Sequence, residues 1–328
     1  MAGETRTDAI IGTAPEPYPE PENEAAVEVE SRSQRVASAR HGERLDKVLV
    51  GLAPEFSRSH LQGLIERGHV RVDGSTATQA ARRVRAGQAI DVELVPTEES
   101  LAFRPEALPL TLCFEDEHLI VVDKPAGLVV HPAAGNWSGT LLNGLLAHHK
   151  GAAALPRAGI VHRLDKDTSG LMVVGKTLAA VTELVRDIAA RQVHRRSLAI
   201  AHGRLDRRRL EIDAPIGRDP ASRIRMAVVA GAKPARTDVE RLHLRDDFSA
   251  LRCTLHTGRT HQIRVHLAHS GHPLVADQTY GGRPALGMAR QALHAAQLGF
   301  AHPLTRAALE FRAPPPSDFA AAWQQVAG

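Results

Sequence analysis

The chain has 328 residues, 43% of them hydrophobic, 24% charged and only 3% aromatic, with a formal net charge of +4. That length accommodates two domains with real cores, and the apolar runs are too short for a membrane-spanning helix. Two cysteines, Cys113 and Cys253, outside any CxxC spacing argue against a disulfide framework or a cysteine zinc site and fit a reducing, cytoplasmic setting.

Residues 1–38 read as a disordered, acidic, proline-rich tail, because they show no amphipathic period. Residues 1–31 hold eight acidic residues against one arginine, net −7, which leaves +11 for the remainder of a chain whose total is +4. That basic remainder suits a polyanion. No basic start followed by an apolar stretch opens the sequence, so a secretory signal is not expected.

Residues 39–96 read as a small separate domain. Leu45, Val48 and Leu49 have helical spacing, and Ser57 is a candidate N-cap for a second helix carrying Leu61, Leu64 and Ile65, with Gly68 as its stop. Val70-Arg71-Val72 runs into Asp73-Gly74, a hairpin signal, and Ile90, Val92 and Leu94 alternate as a last strand. Two helices followed by a short sheet resemble the RNA-binding domain of ribosomal protein S-four type. In that resemblance Arg58, Arg67, Arg71, Arg82 and Arg83, with His60 and Arg85, supply phosphate contacts.

Residues 97–109 read as a linker and residues 110–328 as the larger domain. Leu119–Val122 and Leu171–Val174 are apolar runs fit for buried strands. Leu178, Val181, Leu184, Val185 and Ile188 predict an amphipathic helix at about 177–191. Leu198–Ala201, Leu251–Leu255 and Ile263–Leu267 read as further strands. Strands outnumber helices without steady alternation, so the expected class is α+β with a mixed, mostly antiparallel sheet.

The most informative run is Gly159-Ile160-Val161-His162-Arg163-Leu164-Asp165-Lys166-Asp167-Thr168-Ser169-Gly170. It places an Arg and an Asp two residues apart between a strand-like lead-in and a turn. A carboxylate beside a fixed cation stays ionised and is equipped to act as a nucleophile or a base. Taken alone, an Arg-x-Asp pair in a loop is most often a surface ion pair of little energetic worth.

This run resembles the His-Arg-Leu-Asp-x-x-Thr-Ser-Gly signature of the RluA/RluD family of RNA pseudouridine synthases. Three more segments match in order: Asp123–Pro132; Ala214–Pro220 with Arg225–Val228; and Thr257–His266, continuing to Pro273–Val275, Asp277 and Tyr280–Gly282. The pattern is closest to the RluD branch, whose substrate is large-subunit ribosomal RNA. The resemblance implies uridine isomerisation without a cofactor and with base flipping, by a monomer acting on ribosomal RNA or a pre-ribosomal particle. It makes Asp165 the catalytic carboxylate and Arg264 its basic partner. Ile263 lines the uracil pocket, and Arg163 fills the space left by the extruded base, with His162 beside it. Whether Asp165 attacks the anomeric carbon or removes a ribose proton stays open.

One position departs from the family. Where the family has a tyrosine in the strand after the amphipathic helix, Arg191–Gly203 places Ser197, which keeps a hydroxyl and loses the ring. The expectation is a weakened enzyme or a pocket closed by another side chain. The alternatives are a non-catalytic RNA-binding assembly factor and a synthase acting on transfer RNA. The histidines lack metal-ligand spacing, so no metal site is expected. Thr168 and Ser169 read as turn formers. Lys124-Pro125 with Gly127 reads as a rigid turn, with a direct lysine–phosphate contact as the other option.

Overall fold

The computed structural model describes residues 30–95, 102–133, 135–222 and 224–328. They divide into two units, with the boundary at Thr97/Glu98.

In the first unit, strand β1 (Glu30–Arg35) precedes helices α1 (Leu45–Leu52) and α2 (Arg58–Glu66), which are followed by β2 (Val70–Val72), β3 (Ser75–Thr76) and β4 (Ala89–Leu94). The sheet order is β1-β4-β2-β3, antiparallel throughout. Ser57 caps α2 by accepting from the His60 amide, and Gly68 at φ 84° follows its end. One apolar cluster, including Leu45, Leu49, Leu61, Ile65, Ile90 and Val92, forms the core. The tail expectation needs correction at Glu30–Arg35, which pair with β4; residues 1–29 lie outside the described residues. The sequence hid this strand because it buries no apolar face: it is held by backbone pairing and by the Arg32 guanidinium on the Leu52 carbonyl.

The second unit is built on β5 (Thr111–Glu115), β6 (Leu119–Lys124), α3 (Leu141–His148), β7 (Ser169–Gly175), α4 (Leu178–Ala189), β8 (His194–His202) and β9 (Arg209–Asp213). A two-stranded ribbon, β10 (Ile216–Arg218) and β11 (Met226–Val228), follows. Then come β12 (Arg236–Arg245), β13 (Phe248–Leu255), α5 (Gln262–His269), β14 (Leu293–Ala301), β15 (Ala308–Arg312) and α6 (Ser317–Ala327). The main sheet runs β5-β6-β7-β14-β8-β13-β12-β9, with β15 also paired to β14. Its pairings are antiparallel except β7 with β14. The fold is therefore α+β.

The continuous apolar runs of β6 and β7 are explained by cover on both faces. Ile120, Val122, Met172 and Val174 pack with Leu141 and Leu145 of α3, while Leu119, Val121, Leu171 and Val173 pack with Leu184 of α4.

Residues 102–109 are not a free linker. Asn143 Nδ2 donates to the Arg104 carbonyl at 2.8 Å, and the Glu106 amide donates to the Asn143 carbonyl at 3.0 Å, so this segment belongs to the second unit. Residues 97–101 of the expected linker lie outside the described residues.

The strand expected at Ile263–Leu267 is a helix, α5. Its alternating apolar residues serve two cores: Ile263 and Leu267 pack against β8, β12 and β13, whereas Val265 packs with Ile216, Ala235 and Tyr280. A helix buried on several sides loses the polar face that would reveal its period.

Candidate active site

The Asp165 loop is held by its backbone. Lys124, at the end of β6, is fully buried, and its Nζ donates to the carbonyls of Pro125 (2.7 Å), Leu128 (2.9 Å) and Lys166 (2.9 Å). The Gly127 amide donates to the same Lys166 carbonyl, and the Thr168 amide donates back to the Asp165 carbonyl at 3.1 Å. Burial pushes the Lys124 amine down to about 8, against the opposing pull of Asp167 and Asp165. The loop then enters β7 at Gly170, φ 115°, where a Cβ would meet the Ala295 carbonyl oxygen of β14 at 2.3 Å. Only glycine lets the two backbones approach that closely.

Helix α5 supplies the cation. It starts after His261, whose backbone is left-handed (φ 57°), and it buries Arg264. Arg264 Nε and Nη2 donate to the two oxygens of Asp277, each at 2.8 Å, and Nη1 donates to Asp165 Oδ2 at 3.1 Å. Burial works against the arginine charge, but Asp277 and then Asp165 outweigh it and raise its pKa further.

Tyr280 completes the arrangement, its ring centre 5.1 Å from the Arg264 guanidinium carbon. Its oxygen accepts from the Met226 amide at 3.0 Å, so its hydrogen is available for His261 Nδ1, 2.8 Å away. That bond makes Nε2 the protonated nitrogen of His261, and Nε2 faces Asp165 Oδ1 at 3.8 Å. Burial lowers the His261 pKa, which favours this neutral tautomer.

Asp165 opens onto a cleft of about 680 Å³ that Arg264, Ile263, Ser197, His162 and Arg163 also line. Five exposed arginines, Arg157, Arg163, Arg191, Arg196 and Arg259, stand among its lining residues. A carboxylate clamped by guanidinium in a cleft with so many exposed cations suits chemistry on part of a polyanion.

Residues 118–269 match the family described as RNA pseudouridylate synthase, and residues 43–90 match the S4 domain. The chain is 49% identical over 293 residues to ribosomal large subunit pseudouridine synthase D of Nitrosomonas europaea, covering 87% of this chain and 85% of the relative. It is 45% identical over 300 residues to the protein of the same name from Pasteurella multocida, covering 88% and 92%. The chain belongs to the RNA pseudouridine synthase family. A solved structure, human RNA pseudouridylate synthase domain containing 1, aligns with a TM-score of 0.52 at 28% identity, covering 64% of this chain and 85% of that one.

In this synthase the geometry brings Asp165, Arg264, Arg163, Ile263, Ser197 and His162 to one cleft. Ser197 and Ile263 are buried, and Arg163 is exposed and makes no hydrogen bond among the described residues. His162 Nε2 accepts from the Val173 amide at 3.0 Å, and burial pushes its pKa down to about 3. That nitrogen is committed to the scaffold. The Lys124 ammonium is likewise spent on carbonyls, which corrects the lysine–phosphate option. Ser169 bonds to His294 Nδ1 at 3.0 Å, deep in the fold.

In the S4 unit, Arg67, Arg71, Arg83 and Arg85 are exposed, and Arg82 is half-buried. Arg58 is tethered: its Nη2 donates at 2.8 Å to fully buried Asp46, which also takes bonds from Arg44 and Gln62. His60 stacks on Phe56 at 5.1 Å with its Nε2 buried and unpartnered, so that nitrogen is not presented as a phosphate donor.

Sequence reasoning gave Asp277, Tyr280 and His261 no role in the site. All three stood in the matched segments, and an acid in a cationic motif was the available signal for Asp277.

Proposed function

We propose that the protein converts uridine to pseudouridine in large-subunit ribosomal RNA, in the cytoplasm. The observation that carries this reading is the Asp165 carboxylate, held 3.1 Å from Arg264 at a cleft lined with exposed arginines. The large-subunit substrate is taken from the names of the relatives, and the S4 domain supplies a second RNA-contacting unit.

In the reaction, the bond from the ribose anomeric carbon to uracil N1 breaks, the base rotates, and a bond from the same carbon to C5 forms. C5 loses its proton and N1 gains one, so atoms balance with no redox step. A base inside a helix is out of reach of Asp165, so the nucleotide is flipped into the cleft. Exposed Arg163 is placed to occupy the vacated space, where a planar guanidinium stacks. Asp165 then serves either as nucleophile at the anomeric carbon or as base toward the ribose. Arg264 keeps it ionised and aimed in both cases.

The test is tritium release from a large-subunit RNA fragment labelled at uracil C5. Asp165→Asn keeps the shape and removes the charge, so release should stop while RNA binding persists. Equal release from wild type and variant would remove Asp165 from the chemistry. Binding without release by the wild-type protein would favour an assembly factor.

A further inference from the structure

Arg195 is the unexplained cation of the cleft. It lies on β8, opposite Leu255 of β13 and Leu298 of β14. Both leucines line the cleft with it, as does Ile263. Its Nε is shielded from solvent and has no hydrogen-bond partner, and no acidic side chain pairs with it among the described residues. Burial lowers its pKa, and its charge reaches His162 in the signature loop. The residue as a whole is half-buried, but a guanidinium N–H shielded from water without an acceptor is costly, and a structural role would ordinarily show a partner. The cost is understandable if the acceptor arrives with the substrate.

Gly258 supports the same conclusion. A Cβ there would meet Arg195 Nη1 at 2.9 Å. The bare backbone of the Thr257–Arg259 turn therefore gives the guanidinium its resting place.

We propose that Arg195 is a catalytic residue that donates to one carbonyl oxygen of the flipped uracil, beside Ser197. This rests on the isomerase reading above. The exposed arginines of the cleft are suited to phosphate, whereas Arg195 is half-buried with Leu255 and Leu298 as its strand neighbours, an apolar setting that suits a planar base better than a phosphate. When the glycosidic bond breaks, its electron pair stays on uracil N1, and the negative charge spreads to the two carbonyl oxygens. Donors aimed there bind the anion more strongly than the neutral base, so they accelerate the cleavage step.

The test is single-turnover tritium release alongside RNA binding, for wild type, Arg195→Met and Arg195→Lys. Loss of one such donor ordinarily costs about 10²- to 10³-fold in rate. The methionine variant should show that loss with RNA affinity within about twofold, and the lysine variant should recover part of it. The methionine variant's thermal midpoint should stay or rise, because a half-buried charge with a shielded, unpartnered Nε has been removed. Gly258→Ala should displace the guanidinium and slow the reaction, and it should add nothing in the Arg195→Met background.

Unchanged release from Arg195→Met would overturn the proposal. So would a loss confined to RNA affinity with a shallower salt dependence, the signature of a phosphate contact. A fall in thermal midpoint with additive losses would make Arg195 structural and overturn it equally. Wild-type protein without release would instead sink the isomerase reading itself.

Discussion

Arg264 gives two of its donors to Asp277 and one to Asp165. The aspartate that anchors the guanidinium is therefore not the one that faces the cleft. Asp277 is almost fully buried, and its fork-on-fork pairing fixes the plane of the guanidinium. Asp277→Asn should leave Arg264 buried with half its compensation, at a cost of about 3–5 kcal/mol of stability. Tritium release should fall much as it does for an Arg264 variant. Normal stability by urea unfolding, with normal release, would show that Asp165 alone orients Arg264.

Lys124 acts on Asp165 at one remove, through the Lys166 carbonyl. Lys124→Met takes a donor from three part-buried carbonyls, of which that of Lys166 keeps the Gly127 amide; a buried group left without any partner costs about 1–3 kcal/mol. The variant should unfold at lower urea, and its residual folded fraction should release tritium more slowly at unchanged RNA affinity. Lost affinity with normal turnover would instead place Lys124 in substrate binding.

His162 gives the fold a pH dependence. Its folded pKa is pushed down to about 3 by burial, with Arg195 adding to the effect, from an ordinary value of about 6.5. The unfolded chain therefore takes up a proton that the folded protein refuses. Stability from this residue is fully present above about pH 6.5 and is lost as pH falls toward 3, by at most about 1.4 kcal/mol per pH unit. His162→Gln keeps an acceptor for the Val173 amide without the titration. Its unfolding free energy should change less between pH 6.5 and 4 than that of wild type, and parallel curves would count against a neutral, buried His162.

Most of the fold was legible because its strands and helices carry their burial in their period. Leu119–Val122 and Leu171–Val174 are apolar throughout, as strands covered on both faces must be, and Thr177 and Ser57 cap where hydroxyls should. Legibility failed where burial and period part company. Strand β1 buries no apolar face, and α5 is buried around most of its surface. In the site, the signature displayed Asp165 and Arg163 because they lie close in sequence. Asp277 comes 112 positions after Asp165; its tie to Arg264 comes from how α5 packs, and no local spacing encodes that.

Ser197 decides how much a missing ring matters. It is buried at the cleft wall, paired in register with Cys253 of β13, and Arg195 stands two residues before it on the same face of β8. Stacking on a base is worth about 1–3 kcal/mol when measured by truncation, so Ser197→Tyr should raise the rate of tritium release by up to about two orders of magnitude if the cleft is left short of a stacking partner. If Arg195 already fills that place, the new ring collides with it and the rate falls; the effect should then reverse in the Arg195→Met background, where the ring has room. A serine-to-tyrosine change without effect in either background would mean that the base never approaches this wall.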